Sequence, residues 1–170
     1  MKDTTPIYFH SATYAHEHGE LDQYHASHKA NVACREAIEQ AIADNYRDNR
    51  LAPACVQQVI QQFDYGRIFY VLANTVRQKD HDGRISRDNK AWAQTVPVCE
   101  DKDGFGYDRN VYFVVDRCNP GLTDLFLSQA RRECTPVQEQ KPSVRDGLNK
   151  NAGQQAAHSN KTKVNKEQTR

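Results

Sequence analysis

From Glu20 to Tyr46 the chain contains neither glycine nor proline, and this stretch constrains the fold more than any other feature. Leu21, Tyr24, His28, Ile38, Ile42 and Tyr46 recur at three- and four-residue steps or multiples of them, while Ala30, Ala33, Ala37 and Ala41 add small, helix-favouring surface. The spacing predicts one long amphipathic helix. The polar tract Asp44 to Arg50 ends it.

Around this helix the punctuation predicts shorter elements. Ile7-Tyr8-Phe9 reads as a short strand, and Ser11 caps a short helix that carries Tyr14 and stops at Gly19. Pro53 opens another helix, at a position where its missing N–H costs nothing, with Val56, Val59, Ile60 and Phe63 as its stripe. Arg67 to Lys79 is helical, with Ile68, Val71, Leu72 and Val76 facing inward. Asp80-His81-Asp82-Gly83 is a turn, and Ser86 caps a further helix through Trp92. Val111 to Val115 is rich in β-branched and aromatic residues and reads as the best strand, pairing near Thr95–Cys99 across a Gly/Asp loop. Asn119-Pro120-Gly121 turns into a last helix from Leu122 to about Glu133, with Leu122, Leu125, Phe126 and Gln129 on one side. The expected fold class is α+β: mainly helical, five to six helices, with a small antiparallel sheet that includes residues 111–115.

The composition shifts after Cys134. Residues 1–135 hold 16 Lys+Arg and 19 Asp+Glu, a net −3, whereas residues 136–170 hold 7 and 3, a net +4. The second segment has one Leu and no Phe, Tyr, Trp or Ile. It cannot bury enough apolar area to offset the ~1–2 kcal/mol backbone entropy of each ordered residue. The sequence therefore divides into a folded domain, 1–135, and a polar, basic, disordered tail, 136–170. The total of +1 excludes a strongly basic nucleic-acid binder and an acidic mimic of nucleic acid. No apolar run reaches the ~20 residues that a membrane span needs, and Met1 to Pro6 lack the apolar core of a signal peptide. A cytoplasmic protein is expected. Five widely spaced cysteines without a CxxC pair fit reduced thiols, several of them in the core.

The candidate sites are polar clusters. His25 and His28 share a helical face with Asp22 one turn earlier, an arrangement that could offer nitrogen and oxygen ligands to a divalent cation. A third His or Cys at fixed spacing is missing, so no metal is assigned. Asp80, Asp82, Gly83 and Ile85 fit positions 3, 5, 6 and 8 of a calcium loop. Gln78 and Asn89 stand where carboxylates belong, so the segment reads as a turn between helices. Asp82 to Lys90 is the densest polar stretch of the body. Arg84, Arg87 and Lys90 step by three, which would stack them on one helical face suited to phosphate. Asp82, Arg84, Arg87, Asn89 and Lys90, with His25 and His28, form the candidate contact surface for a partner or nucleic acid. His81 with Arg84, or His25 with Lys29, could supply the base and cation of a nuclease. No nucleotide-cradling glycine motif or catalytic triad appears. No catalytic residue and no cofactor is assigned, and a binding protein is favoured over an enzyme.

Tyr14-Ala15-His16-Glu17-His18-Gly19-Glu20-Leu21, the run Ser27 to Ile38, Tyr70 to Thr75, Asp82 to Ser86 with Asn89, Lys90 and Trp92, and Gly121 to Phe126 resemble a domain of unknown function from gut anaerobes. Such domains are carried on conjugative elements and phages. The resemblance covers about residues 7–133. It implies evasion of host defence: a small anti-CRISPR or antirestriction protein, with a type II, Cas9-type effector and its guide RNA as partner and its DNA binding or cleavage as the blocked step. The alternatives are a small nuclease acting on guide RNA or other nucleic acid, and a nucleic-acid-binding accessory or regulatory protein of the element. Nucleic acid would be met through Arg84, Arg87, Lys90 and the basic tail.

Overall fold

One helix is walled in on nearly all sides, and the others are arranged around it. The structure, a computed structural model, describes residues 1–110, Tyr112 and residues 121–135. In chain order the elements are α1 (Ala12–His18), α2 (Leu21–Asn45), β1 (Tyr46–Arg47), β2 (Arg50–Leu51), α3 (Ala54–Ile60), α4 (Tyr65–Gln78), α5 (Arg87–Thr95) and α6 (Leu122–Cys134). They belong to one unit, Met1–Cys134. The expected class holds: mainly helical, one long helix, and a small antiparallel sheet. The expected tail, from residue 136 onward, lies outside the described residues.

The walled-in helix is α4. The Asp64 carboxylate accepts from Arg67 N at 2.8 Å and so starts it. From Arg67 to Val76 every residue but Phe69 is buried. The expected stripe of Ile68, Val71, Leu72 and Val76 is only part of this. Asn74 and Thr75 go inside as well because each satisfies its own helix: Asn74 Nδ2 donates to Tyr70 O at 2.8 Å and Thr75 Oγ1 to Val71 O at 3.0 Å. A buried polar side chain that reaches a backbone carbonyl avoids most of the desolvation penalty.

α2 packs on α4 and α3, and its buried face is Ser27, Ala30, Asn31, Cys34, Ile38, Ala41 and Ile42. Leu21, Tyr24 and His28, expected on the apolar stripe, are only half-buried, so the N-terminal half of the face is polar. Ser11 caps α1 by accepting from Tyr14 N at 3.1 Å, and Gly19 ends it at φ 70°. That left-handed turn suits glycine.

Among the described residues the antiparallel sheet is a hairpin at residues 46–51. Tyr46 pairs with Leu51 and Arg47 with Arg50, around Asp48 and Asn49 at φ 51° and 59°. This is the two-residue hairpin turn with both central residues left-handed, for which Asp and Asn are favoured. The turn sits in the polar tract read as a helix end. Of the expected strand 111–115, only Tyr112 is described, and it lies outside any strand; the rest falls outside the described residues. Val96–Cys99 form no strand, and neither do residues 7–9, where Tyr8 N instead donates to Ser27 Oγ on α2 at 2.9 Å.

On α6 the buried residues are Leu122, Thr123, Phe126, Leu127 and Ala130, while Leu125 is half exposed. Cys34 and Cys55 are buried thiols pushed up to about 12 by desolvation, and Cys118 lies outside the described residues. No helix among the described residues is long and apolar enough to cross a membrane.

Candidate functional site

The segment 80–92 carries five of the seven candidate residues, and the structure sorts them by role. Asp82 and Arg84 make a local clasp. Arg84 Nε donates to Asp82 Oδ1 at 2.9 Å, Nη2 to Oδ2 at 2.6 Å, and the backbone N of Arg84 to Oδ1 at 2.9 Å. The Arg84 side chain and N–H hold the Asp82 carboxyl well below the usual carboxylate range. The clasp fixes a turn upstream of the helix. α5 starts only at Arg87, because Ser86 caps it by accepting from Asn89 N at 3.3 Å. Arg84 is therefore not on the helical face with Arg87 and Lys90, and the expected stack of three shortens to two.

Asn89 is a second correction. It is 0% exposed and reaches no outside partner. Its Nδ2 donates to Asp124 Oδ1 at 2.7 Å and Ser128 Oγ at 2.9 Å, and its Oδ1 accepts from Arg131 Nη1 at 2.6 Å. Asp124 Oδ1 also accepts from Ser86 N at 2.9 Å, and Arg131 pairs with Asp88 at 2.7 Å. The Arg131 guanidinium lies 5.5 Å from the centre of the Trp92 ring. These contacts bolt α5 to α6. Arg77 fixes the other end of α5, donating from Nε to Ala93 O at 2.9 Å and from Nη2 to Val96 O at 2.8 Å. A cation there satisfies carbonyls that the helix leaves open and complements its dipole.

Arg87 and Lys90 remain. Arg87 is exposed and Lys90 half-buried, one turn apart on α5. Neither side chain makes a hydrogen bond or ion pair with another described residue. The result is a rigid ridge that carries Arg87 and Lys90, with the exposed carboxylate of Asp88 between them paired to Arg131.

The histidines at the other end of the chain do not form one site. His10, Tyr14 and His18 stack ring on ring, with centroids 4.3 and 3.8 Å apart. His25 is exposed and touches the edge of Tyr24. His28 turns inward. Its ring stacks parallel to Tyr24 at 6.2 Å, and its Nδ1 lies 3.0 Å from the Tyr112 hydroxyl. Desolvation, followed by the charge of His25, lowers its pKa. Among the described residues no three His, Cys, Asp or Glu side chains gather as a metal ligand set.

Behind His28 lies a polar core unforeseen from sequence. Asn31 Nδ2 donates to the Tyr112 hydroxyl at 3.1 Å. Arg67, 2% exposed, donates to Asn31 Oδ1, to Ser27 O and to Thr5 O, and lies 3.8 Å from Asp3. Asp101, also buried, accepts from Ala12 N at 3.0 Å and from the Tyr24 hydroxyl at 3.1 Å. Burial, then the Asp101 charge, pushes the Tyr24 phenol up to about 12. The sequence signal for the α6 partners was available: Asp124, Ser128 and Arg131 step by four and three. Nothing local marked Arg67 or Asp101.

No curated protein and no solved structure matches this chain. A family model does, over residues 7–135, and its description is "Protein of unknown function". That span takes in the capped α1, the polar core apart from Asp3 and Thr5, α5 with its ridge and the α6 residues that lock it. This chain belongs to that family, DUF3849.

Proposed function

We propose that the protein is a binding inhibitor of bacterial immunity encoded by a mobile element, an anti-CRISPR protein that attaches to a type II, Cas9-type effector–guide complex and blocks DNA binding or cleavage. The observation that carries the binding part is the asymmetry of α5. Ser86, Asp88 and Asn89 are all committed to α6, while Arg87 and Lys90 face out from a helix fixed at both ends. The backbone beneath these cations is already ordered, so only their side chains lose rotamer freedom on meeting an anionic surface, and their charge goes chiefly into association and its rate. A guide-loaded effector offers such phosphate surface. The identity of the partner rests on the resemblance noted in the sequence.

The test is a pull-down with a Cas9–guide complex alongside DNA cleavage at several inhibitor ratios. Association with stoichiometric loss of cleavage is expected. The Arg87→Glu/Lys90→Glu double variant should weaken both. No association, with cleavage untouched for effectors from several hosts, rejects the reading. Guide RNA shortened at substoichiometric protein points instead to the nuclease alternative. A salt-sensitive shift of free nucleic acid points to an accessory binding protein.

A further inference from the structure

The loop 101–109 holds two aromatic rings in the open. Phe105 is 89% exposed and Tyr107 74%. The loop is not free to fold them in. Asp103 Oδ1 accepts from Phe105 N and Tyr107 N, both at 2.9 Å, and Asp103 N donates to Tyr107 O at 2.8 Å. Gly106 takes φ 87°, and Lys102 bridges Asp108 antiparallel. At the base, buried Asp101 is tied to α1 and Tyr24. Rigid aromatic groups that stay exposed are the usual anchors of protein interfaces.

Beside Tyr107 runs a groove of about 670 Å³ whose walls include Asp80, Glu100, Asp108, Arg77 and Lys102. The cations there are engaged: Arg77 with the carbonyls that end α5, and Lys102 with Glu100 at 3.9 Å. Three carboxylates against two cations leave the groove one negative charge in excess, and Tyr107 adds an aromatic face. An acidic groove beside an aromatic ring selects a cation and repels phosphate.

We propose that this loop and groove dock an arginine- or lysine-bearing segment of a partner protein. The site shares no residue with the Arg87 and Lys90 ridge and goes beyond the function proposed above. The partner's basic side chain lies against Tyr107 with its charge toward Glu100 and Asp80, and Phe105 covers the neighbouring apolar surface.

The test uses the full chain and two fluorescein-labelled peptides, one with arginines spaced by glycine and serine, the other with each arginine replaced by glutamate. Fluorescence anisotropy should show binding of the arginine peptide alone. Tyr107→Ala and Glu100→Gln should each weaken it roughly tenfold, the scale of a desolvated cation–π contact or a partly buried charge pair. The Arg87→Glu/Lys90→Glu variant should bind it unchanged. Both tested side chains are exposed, so melting temperatures should stay put. Absence of binding, or equal affinity in Tyr107→Ala, overturns the proposal. So does a concentration-dependent dimer that Tyr107→Ala abolishes, which would assign the surface to a second copy.

Discussion

The side-chain amide of Asn89 on α5, itself fully buried, donates to the half-buried carboxylate of Asp124 on α6 at 2.7 Å. The same carboxylate accepts from the N–H of Ser86, the capping residue of α5. One acid thus caps a helix from outside and holds it against its neighbour.

Removing that amide should therefore cost more than one hydrogen bond. Asn89→Ala takes one partner each from the half-buried Arg131 guanidinium, Asp124 carboxylate and Ser128 hydroxyl, at about 2 kcal/mol in all, since Asp124 keeps Ser86 and Arg131 keeps Asp88. For a folded unit of this size that lowers the melting temperature by roughly 5–10 °C. Thermal denaturation followed by circular dichroism checks it. A loss near zero would mean that Asp88 and Trp92 alone hold Arg131.

The ridge residues should behave in the opposite way. Arg87 and Lys90 make no hydrogen bond or ion pair with a described side chain, so Arg87→Glu and Lys90→Glu should each change stability by less than about 0.5 kcal/mol. Their effect should appear in binding instead, and should shrink as salt screens the charges. Titrating the effector complex at low and high ionic strength separates the two. A pair of variants that unfold the protein would contradict an exposed ridge.

How much of this was legible depends on how far apart the partners lie in sequence. α1 and α5 were readable because Ser11 and Ser86 act within three residues. The long α2 was readable because nothing in Glu20–Tyr46 breaks a helix. Arg67 was not, because its partners come from Thr5, Ser27 and Asn31, and an arginine is buried only where such groups converge. Asn89 was misplaced for the same reason: its neighbours Arg87, Asp88 and Lys90 are charged, and only α6, more than thirty residues on, draws it inside.

His28 makes stability pH-dependent. Its folded pKa lies below the ordinary value near 6.5, first through desolvation and then through His25, with Asp101 opposing. As pH falls through about 6.5 the unfolded chain takes up a proton that the folded chain refuses. The contribution is therefore fully present above that pH and is lost progressively below it, down to the folded pKa. The slope of melting temperature against pH between about 7 and 5 should flatten in His28→Gln. An unchanged slope would move the effect to another group.

Arg67 gives the sharpest stability test. Its guanidinium is 2% exposed and binds α2 through Asn31 and Ser27, and the N-terminal strap through Thr5, with Asp3 at 3.8 Å. Arg67→Met keeps the length and apolar stem but removes every donor. Asn31 Oδ1 and two carbonyls then lose their partner, and the expected cost is about 3 kcal/mol, the lower end of the range for breaking a buried charged network. Arg67→Lys should recover little of it, because one ammonium cannot span the fork that reaches Asn31 and Thr5 at once. Denaturant unfolding measures the loss, and hydrogen exchange locates it. Protection should fall first at Asp3 N, bonded to Gln62 O at 2.7 Å, and at Tyr8 N, bonded to Ser27 Oγ, since both depend on the strap staying docked. If Arg67→Lys restores full stability while Arg67→Met does not, charge alone anchors the strap and the forked geometry is incidental.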